Sequence, residues 1–367
     1  MLYLGLIPGN YIGWGICSRY LVEETRKLTE VTLIEPGNLH GFQGRVLDGK
    51  VLHTIGDQHL TKVMEVTGKE NCGYTFFENL LPEKARENAC LFDLVLAGST
   101  WCLERLEERG IHWVDTLIQG IDPRIFFPLE ADKPAARDFF VIFSGGKFEL
   151  RKGQDIVIRA VKVMQDRHRD VLFVNAWYNA WPFTMNTMAS SPLIRFEPLE
   201  RWTTEAVRGL LHENGVDLSR TEVLPRIPQD QFMKIYACTD VGLFPNRCEG
   251  GTNLVLMEYM ACGKPVVASF NSGHRDILND RNSLPVRSMT PFEFRDGRGE
   301  LTALWEEPDL EEVIEKLEHA YGNRHRIREL GRQAGRDLQG RTWAHTARDL
   351  LGKMGIPASA QGTEARQ

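Results

Sequence analysis

The sequence predicts an α/β protein with two doubly wound, Rossmann-like domains in series. At 367 residues the chain is longer than a single hydrophobic core usually serves. Short, β-rich apolar runs alternate with longer amphipathic runs, which is the pattern of a parallel sheet covered by helices. A polar stretch containing a proline, residues 129–138, divides this alternation into two series and is the best candidate for a linker.

Each half of the chain supplies its own set of elements. In the first half we predict strands at residues 3–7, 31–34, 50–53, 73–77, 94–97 and 114–117, and helices at 16–28 and 100–109. In the second half we predict strands at 139–144, 171–177, 241–244 and 265–269, and a helix at 154–165. The domains are therefore expected at residues 1–132 and 133–340, with a small, polar, disordered tail at 357–367. A ligand cleft is expected beyond the carboxyl ends of the strands.

Composition argues against several classes of function. The charged residues, 26% of the chain, are mixed in sign and sum to −6, which provides no basic field for nucleic acid. No run of about 18 apolar residues occurs, so we expect no transmembrane segment, although contact with a membrane surface stays open. The apolar residues 1–15 lack a basic n-region and a cleavage site, and we interpret them as a buried first strand. Seven cysteines without metal-ligand spacing indicate reduced thiols and a cytoplasmic location.

The most informative stretch is NRCEGGTNLVLMEYMACG, residues 246–263. It follows a predicted strand, crosses two glycines and enters an apolar helix at about Asn253. The backbone N–H groups of Gly251, Thr252 and Asn253 would point out of the helix N-terminus, where partial positive charge accumulates. With Leu254 beside them, these amides are predicted to hold a diphosphate.

Glu258 is the single charged residue in the predicted helix. The residues three and four positions away are apolar or cysteine, so no cation of the same helix can pair with it. Because an unpaired carboxylate is costly to bury, Glu258 needs a partner, and the hydroxyls of a ribose would satisfy it. The alternatives are a solvated stripe of the helix or a bond to nearby backbone.

A second stretch, SGGKFELRKGQD at residues 144–155, ends a predicted strand and leads into a helix. Glycines let backbone approach a ligand, and Lys147 and Lys152 would converge on one anion if the loop between them folds back. A solvated lysine cluster is the alternative. No Asp-x-Asp motif follows a predicted strand to hold a divalent ion, so we expect no essential metal.

These two stretches resemble the motifs of the family 4 retaining glycosyltransferases, which have the GT-B fold. Residues 249–258 are similar to the Glu-x7-Glu motif of that family, and the resemblance assigns the donor ribose to Glu258 and the sugar hydroxyls to Glu249. The two glutamates are nine residues apart instead of eight, and the extra residue lies in the GGTN loop. Residues 144–153 look like the family motif GRLxxxKG, whose two cations bind the donor phosphates. Those roles fall to Lys152 and, in place of an arginine, to Lys147.

A weaker likeness extends over most of the chain. Main-chain groups near Arg226 and Ile227 are expected to read the donor base, because the segment that follows resembles the base-pocket region of the family. A plain loop before an amphipathic helix explains that segment equally well. GNYIGWG stands where the family has a glycine loop facing the diphosphate, which makes Gly13 and Gly15 donor-binding candidates.

Acceptor recognition is expected in the first domain. The family histidine often found near GYTFFEN is absent, and Glu78 would contact sugar or acceptor in its place. A simply solvated strand-end glutamate is the alternative. His53 is a second acceptor candidate. Residues 341–356 look like the family helix that crosses back to the first domain.

The resemblance implies transfer of a sugar, with retention of configuration, from a nucleotide-diphosphate donor to the hydroxyl of an unidentified acceptor. That acceptor would be a glycan, a lipid-linked molecule or a small molecule, and no cofactor is expected besides the donor. A nucleotide-sugar 2-epimerase of the same fold and a non-catalytic nucleotide-sugar-binding module are the alternatives. An epimerase would turn over donor without acceptor, whereas a binding module would turn over nothing.

Overall fold

The computed structural model describes residues 1–129, 133 and 135–358, which form two compact units. The first unit consists of Met1–Asp122, Gly250–Leu254 and the described residues from Arg341 onward. The second consists of the described residues of Pro123–Glu249 together with Val255–Gly340. Residue 132, where we placed the domain boundary, and most of the predicted tail lie outside the described residues, and the domain limits stay a prediction.

The described residues contain fourteen strands and eleven α-helices. In chain order they are β1 (Leu2–Gly5), α1 (Gly13–Arg26), β2 (Val31–Ile34), β3 (Val46–Thr54), β4 (Thr67–Thr75), α2 (Glu83–Ala89), β5 (Leu94–Ala97), α3 (Thr100–Glu108), β6 (Val114–Thr116), β7 (Phe140–Lys147), α4 (Gln154–Arg167), β8 (Val171–Tyr178), α5 (Pro182–Met185), α6 (Thr204–Glu213), β9 (Thr221–Val223), α7 (Phe232–Ala237), β10 (Val241–Phe244), α8 (Leu254–Ala261), β11 (Val266–Ser269), β12 (Leu284–Val286), β13 (Met289–Arg295), β14 (Leu301–Pro308), α9 (Leu310–Gly322), α10 (Arg324–Gln339) and α11 (Trp343–Lys353).

The sheet of the first unit is parallel throughout, in the order β2-β1-β3-β4-β5-β6. One of its faces packs against α1, whose buried residues lie on the helix face toward the sheet. The last helix, α11, adds to the same core, because the ring of Trp343 stacks on Tyr20 of α1 at a centroid distance of 5.2 Å. Residues from opposite ends of the chain therefore complete one apolar core.

The sheet of the second unit is also parallel, in the order β12-β11-β10-β7-β8-β9. Counted from β7, this is the 3-2-1-4-5-6 order of a Rossmann sheet, and the winding direction reverses between β7 and β10. Ligands of such sheets bind beyond the carboxyl ends of the strands at this point. The loops that follow β7 and β10 are therefore where a site is expected.

Several elements differ from those we predicted. β1 ends at Gly5, and Ile7 and Ile12 are 44% and 49% exposed, so the apolar N-terminal run is core only at its start. β4 begins at Thr67, six residues before the predicted strand. The prediction missed the first half of β4 because that half is polar and partly exposed and shows no apolar alternation. An unpredicted antiparallel hairpin, β13–β14, is held by aromatic rings, with Phe294 stacked 4.9 Å from Trp305.

A buried arginine joins the two loops at the switch point of the second unit. Arg247 follows β10, and its guanidinium is fully buried. It donates to both carboxylate oxygens of Asp155 in α4, at 2.8 and 2.7 Å, and to Leu150 O at 2.6 Å. Its Nη2 also lies 2.6 Å from Glu307 of β14. The loop after β10 is thus tied to the loop after β7 and to the hairpin.

We predict that Arg247→Met lowers the free energy of unfolding by about 3–5 kcal/mol, because removing one partner leaves Asp155 buried without its counter-charge. Urea denaturation would measure the loss. Arg208→Met, which truncates an exposed arginine of the same unit, should change stability by no more than about 0.5 kcal/mol. The double variant Arg247→Met/Asp155→Leu should recover part of the loss, since two apolar groups replace the pair. Equal stability of the Arg247 and Arg208 variants would contradict this role.

Candidate functional site

The loop after β7 folds back on itself. Gly153 has a φ of +71°, and a Cβ at this position would lie 2.0 Å from Pro245 O, so only glycine fits there. Gln154 closes the loop from the first turn of α4. Its Nε2 donates to Lys147 O at 2.8 Å, and its Oε1 accepts from the N–H of Glu149 at 3.2 Å. The condition we set for Lys147 and Lys152 to approach one another is therefore met.

The folded loop forms an alternating chain of charges. Lys147 Nζ lies 2.9 Å from Glu149 Oε2, and Arg151 Nη2 lies 2.5 Å from Glu149 Oε1. Arg151 Nη1 continues to Glu249 Oε2 at 3.3 Å, and Lys152 pairs with the other oxygen of Glu249. We refer to these five residues as the charge cluster. It brings together the three residues that we predicted as catalytic, Lys147, Lys152 and Glu249.

Both carboxylates of the charge cluster are held in the ionised form. Burial alone would raise the pKa of Glu249, but the charges of Lys152 and Arg151 lower that pKa to about 2. Burial would also raise the pKa of Glu149, and Arg151 and Lys147 lower it in the same way. Three cations and two carboxylates thus meet at neutral pH, and an anion that enters the cluster would add to the negative side of that balance.

Glu249 is fixed by the backbone of the next loop as well as by its cations. Its N–H donates to Ser272 Oγ at 2.8 Å, and its carbonyl accepts from Gly273 N at 3.0 Å. Asn246 Nδ2 donates to the carboxylate. Glu249 is 3% exposed, and its side chain has little freedom to turn away from Lys152.

Glu258 lies in α8 and is 5% exposed. Its Oε1 accepts a hydrogen bond from Gln229 Nε2, a side-chain partner that the sequence did not indicate. Gln229 follows the predicted base-pocket residues Arg226 and Ile227 in the loop after β9. Arg226 lies over the ring of Tyr178 at 5.1 Å, at the end of β8. The second unit therefore joins the base-pocket segment to Glu258 through Gln229.

The predicted diphosphate-binding residues Gly251, Thr252, Asn253 and Leu254 belong to the first unit. Helix α8 begins at Leu254, one residue later than expected, and Asn253 has a left-handed φ of +63°. Just before them, Gly250 N donates to Glu78 Oε1 at 3.3 Å. Glu78, predicted as an acceptor contact, thus binds the backbone next to the predicted diphosphate segment.

The two predicted donor glycines of α1 have different surroundings. A Cβ at Gly15 would lie 2.9 Å from Gly9 Cα, so Gly15 is required for close packing of the loop after β1. Gly13 is exposed, and a Cβ at this position would meet no atom within 4 Å. The ring of Trp14 between them packs 4.7 Å from Phe76, the residue that would also meet a Cβ at Gly251. The first unit therefore brings this loop near Gly251.

His53 does not occupy the place we expected. Its side chain is buried within β3, 1% exposed, with Nε2 3.0 Å from Asn71 Oδ1 and the ring against Phe92. Burial lowers the pKa of His53 to about 4. The acceptor role that we assigned to His53 is therefore corrected, since a residue without solvent access cannot contact an acceptor.

Sequence reasoning missed four residues around the site, and only two of them, Glu149 and Arg151, had a signal in the local sequence. The alternating charges of KFELRK were a signal for Glu149 and Arg151. No local signal marks Gln229 or Arg247, whose partners lie 29 and 92 residues away.

Neither a membrane-spanning helix nor a cluster of metal ligands occurs in the described residues. No helix within residues 1–129, 133 and 135–358 combines the length and apolar character of a membrane span. Across the same part of the chain, no three or more His, Cys, Asp or Glu side chains group in a way that would hold a metal ion.

Comparison with known proteins shows which sequences this chain resembles. The sequence model described as "Glycosyl transferases group 1" matches residues 199–302, which include Gln229, Glu249 and Glu258. The D-inositol 3-phosphate glycosyltransferase of Stackebrandtia nassauensis is 28% identical over 257 residues, covering 68% of this chain and 50% of the relative. That of Xylanimonas cellulosilytica is 25% identical, covering 55% and 46%. The chain spans half or less of the length of the curated relatives it matches.

Solved structures agree with the observed pair of Rossmann-like units. Sucrose-phosphate synthase from Thermosynechococcus elongatus superposes with a TM-score of 0.66 at 15% identity, covering 96% of this chain and 97% of that structure. Anabaena HepE in complex with UDP and glucose gives a TM-score of 0.65 at 13% identity, covering 96% and 98%. The expected GT-B fold is confirmed, and the likeness in sequence to the glycosyl transferases group 1 covers residues 199–302.

Proposed function

We propose that this protein transfers a sugar from a nucleotide-diphosphate donor to an acceptor hydroxyl, with retention of configuration and without an essential metal. The observation that carries the proposal is the charge cluster, which stands at the carboxyl end of β7, beside the switch point of a Rossmann sheet. The likeness to HepE, which was solved with UDP-glucose, and to D-inositol 3-phosphate glycosyltransferases supports this class of donor.

The cations of the charge cluster are suited to a diphosphate. A donor phosphate that enters the cluster would exchange the carboxylates of Glu149 and Glu249 for its own oxygens around Lys147 and Lys152. Negative charge grows on the leaving diphosphate as the glycosidic bond breaks, and fixed cations stabilise that charge more in the transition state than in the intact donor. Glu249 would stay in place, and its oxygen that loses the hydrogen bond from Lys152 would then accept hydrogen bonds from the sugar hydroxyls.

Glu258 is proposed to hold the ribose. Its neighbour Gln229 belongs to the segment proposed to read the base, so base and ribose would be recognised through one hydrogen-bonded pair. The amides of Gly251, Thr252, Asn253 and Leu254, with Gly13, are proposed to face the diphosphate. The acceptor proton would pass to a diphosphate oxygen when attack occurs on the face from which the leaving group departs, and no protein base is required.

The proposal is tested first by thermal shift with UDP, ADP, GDP and their glucose derivatives, because a ligand of the native state raises its stability in proportion to ln(1 + [L]/Kd). A panel of sugar, inositol phosphate and lipid-linked acceptors then identifies the product. Donor turnover in the absence of any acceptor would instead indicate an epimerase. Donor binding with no turnover across the panel would indicate a binding module.

We predict that Glu258→Gln weakens binding of the preferred nucleoside diphosphate by about 1.5–3 kcal/mol, the effect of losing a charged hydrogen-bond acceptor. Titration calorimetry measures the affinity. Glu213→Gln, a substitution at an exposed glutamate of the same unit, serves as the control and should leave the affinity unchanged. If Glu258→Gln bound with the same affinity as the control, the proposed contact of Glu258 with the ribose would be wrong.

Lys152→Ala is predicted to lower kcat by about a hundredfold to a thousandfold, since loss of one preorganised donor to a developing oxyanion costs about 2.7–4 kcal/mol. Lys147→Ala should lose less, because Lys147 is more exposed and pairs only with Glu149 among the carboxylates of the cluster. The measurement is kcat against donor KM at saturating acceptor. An increase in donor KM with unchanged kcat would show that Lys152 holds only the ground state.

Turnover is predicted to persist in excess chelator, because Lys147, Arg151 and Lys152 supply the positive charge that a divalent ion would otherwise provide. Initial rates with EDTA, and after return of Mg²⁺ or Mn²⁺, provide the comparison. Activity that is lost in EDTA and restored by either ion would refute metal independence.

A further inference from the structure

A cavity of about 470 Å³ lies in the second unit, at the end of the sheet opposite to the charge cluster. Thr239 and Asp240, which precede β10, and Lys264, which precedes β11, form one wall, and α10 forms another. These are the amino-terminal ends of the strands, whereas the charge cluster follows the carboxyl end of β7. The cavity shares no residue with the proposed donor site.

The lining of this cavity is strongly basic. Six of its described residues are cationic: Lys133, Lys264, Arg324, Arg328, Arg332 and Arg336. Among the described lining residues Asp240 is the one acid, and its charge is already engaged. Asp240 Oδ2 lies 2.6 Å from Lys133 Nζ and accepts from Val141 N at 2.8 Å. Among the described lining residues, cationic side chains therefore outnumber acidic ones.

The four arginines of α10 that line the cavity recur every fourth residue, so they follow one another along a single face of the helix. Like charges at this spacing destabilise a helix. Arg324 is paired with Asp170 at 2.7 Å, but Arg336 bonds only to the neutral side chain of Gln333, at 2.6 Å. Within residues 1–129, 133 and 135–358, no carboxylate forms an ion pair with Arg332 or Arg336. Among the described residues, the repulsion between Arg332 and Arg336 is thus not offset by a carboxylate.

Helix α10 packs closely against the loop before β11. Gly331 packs directly on the loop before β11, where a Cβ would lie 2.3 Å from Gly263 O. From the same loop, Lys264 Nζ donates to Thr239 O at 2.9 Å. Burial lowers the pKa of the Lys264 ammonium to about 8, against the opposing effects of Asp240, Cys262 and Cys238, and Lys133 lowers it further. A bound anion would favour the charged ammonium.

We propose that this cavity binds a small polyanion that carries two or more phosphate groups. The planar guanidinium groups of Arg332 and Arg336 offer paired donors that match phosphate oxygens, and Lys264 adds a point charge at the inner wall. The volume is that of a site for a small molecule, and its concave form favours such a ligand over a flat membrane surface. This binding is independent of sugar transfer.

The test is calorimetric titration of the full chain with sodium tripolyphosphate at about 0.1 M salt, where exposed charges are already screened. We expect saturable binding that includes one equivalent besides any taken up by the charge cluster. The affinity of this equivalent should be at least about tenfold lower for Arg332→Gln/Arg336→Gln, since hydrogen bonds to charged groups are lost. Arg326→Gln, an exposed arginine of α10 that does not line the cavity, is the matched control and should bind like the parent. Thermal unfolding of each variant confirms the fold.

Further measurements distinguish binding in this cavity from binding at the donor site and from binding to a membrane. Lys152→Ala should keep the arginine-dependent equivalent of tripolyphosphate, and the double arginine variant should keep the parent's response to nucleoside diphosphates. The proposal is overturned if tripolyphosphate gives no saturable binding, if Lys152→Ala loses all of that binding while the double variant keeps it, or if Arg326→Gln loses as much as the double variant. Arginine-dependent binding to phosphatidylserine vesicles without binding of tripolyphosphate would likewise overturn it in favour of a membrane surface.

Discussion

The buried ion pair between Arg247 and Asp155 is the interaction on which the site in the second unit depends. Loops beyond the carboxyl ends of parallel strands are normally the most variable and mobile parts of a doubly wound sheet. Here the guanidinium closes the loop after β10 onto α4 and onto the carbonyl of Leu150, inside the loop after β7. A fixed distance between the two loops follows, and with it a fixed distance between Lys152 and Glu249.

The charge cluster is balanced by carboxylates of its own loops. Three cations held close together repel one another, and Glu149 and Glu249 offset that repulsion with short contacts inside the same loops. In the proposed reaction the oxygens of an incoming diphosphate replace these carboxylates around the cations, which are not free and hydrated beforehand. The exchange lowers the net gain in binding, and it leaves the cations already oriented for the charge that develops in the transition state.

Local sequence patterns were enough to predict much of this structure. Contacts between residues far apart in the chain could not be predicted from them. Alternating apolar runs on either side of a polar stretch indicated two Rossmann-like units. Strand-end position pointed to Lys147 and Lys152, and the family resemblance added Glu249. Arg247 looked like any polar loop residue, since nothing in RCEGG shows that its partner Asp155 lies 92 residues earlier. The acceptor role assigned to His53 failed for a related reason, because Phe92 and Asn71 from other elements enclose its ring.

The position of α11 has a consequence for the order in which the protein is made. Tyr20 and Trp343 are each 2% exposed and stack on one another, yet the whole of the second unit is translated between them. The nascent first unit therefore leaves the ribosome with an apolar face of α1 uncovered, and that face stays open while the second sheet is being synthesised. Chaperones and premature contacts have access to it for that whole interval. The first unit begins to be synthesised before the second, but it is completed only after the second has been made.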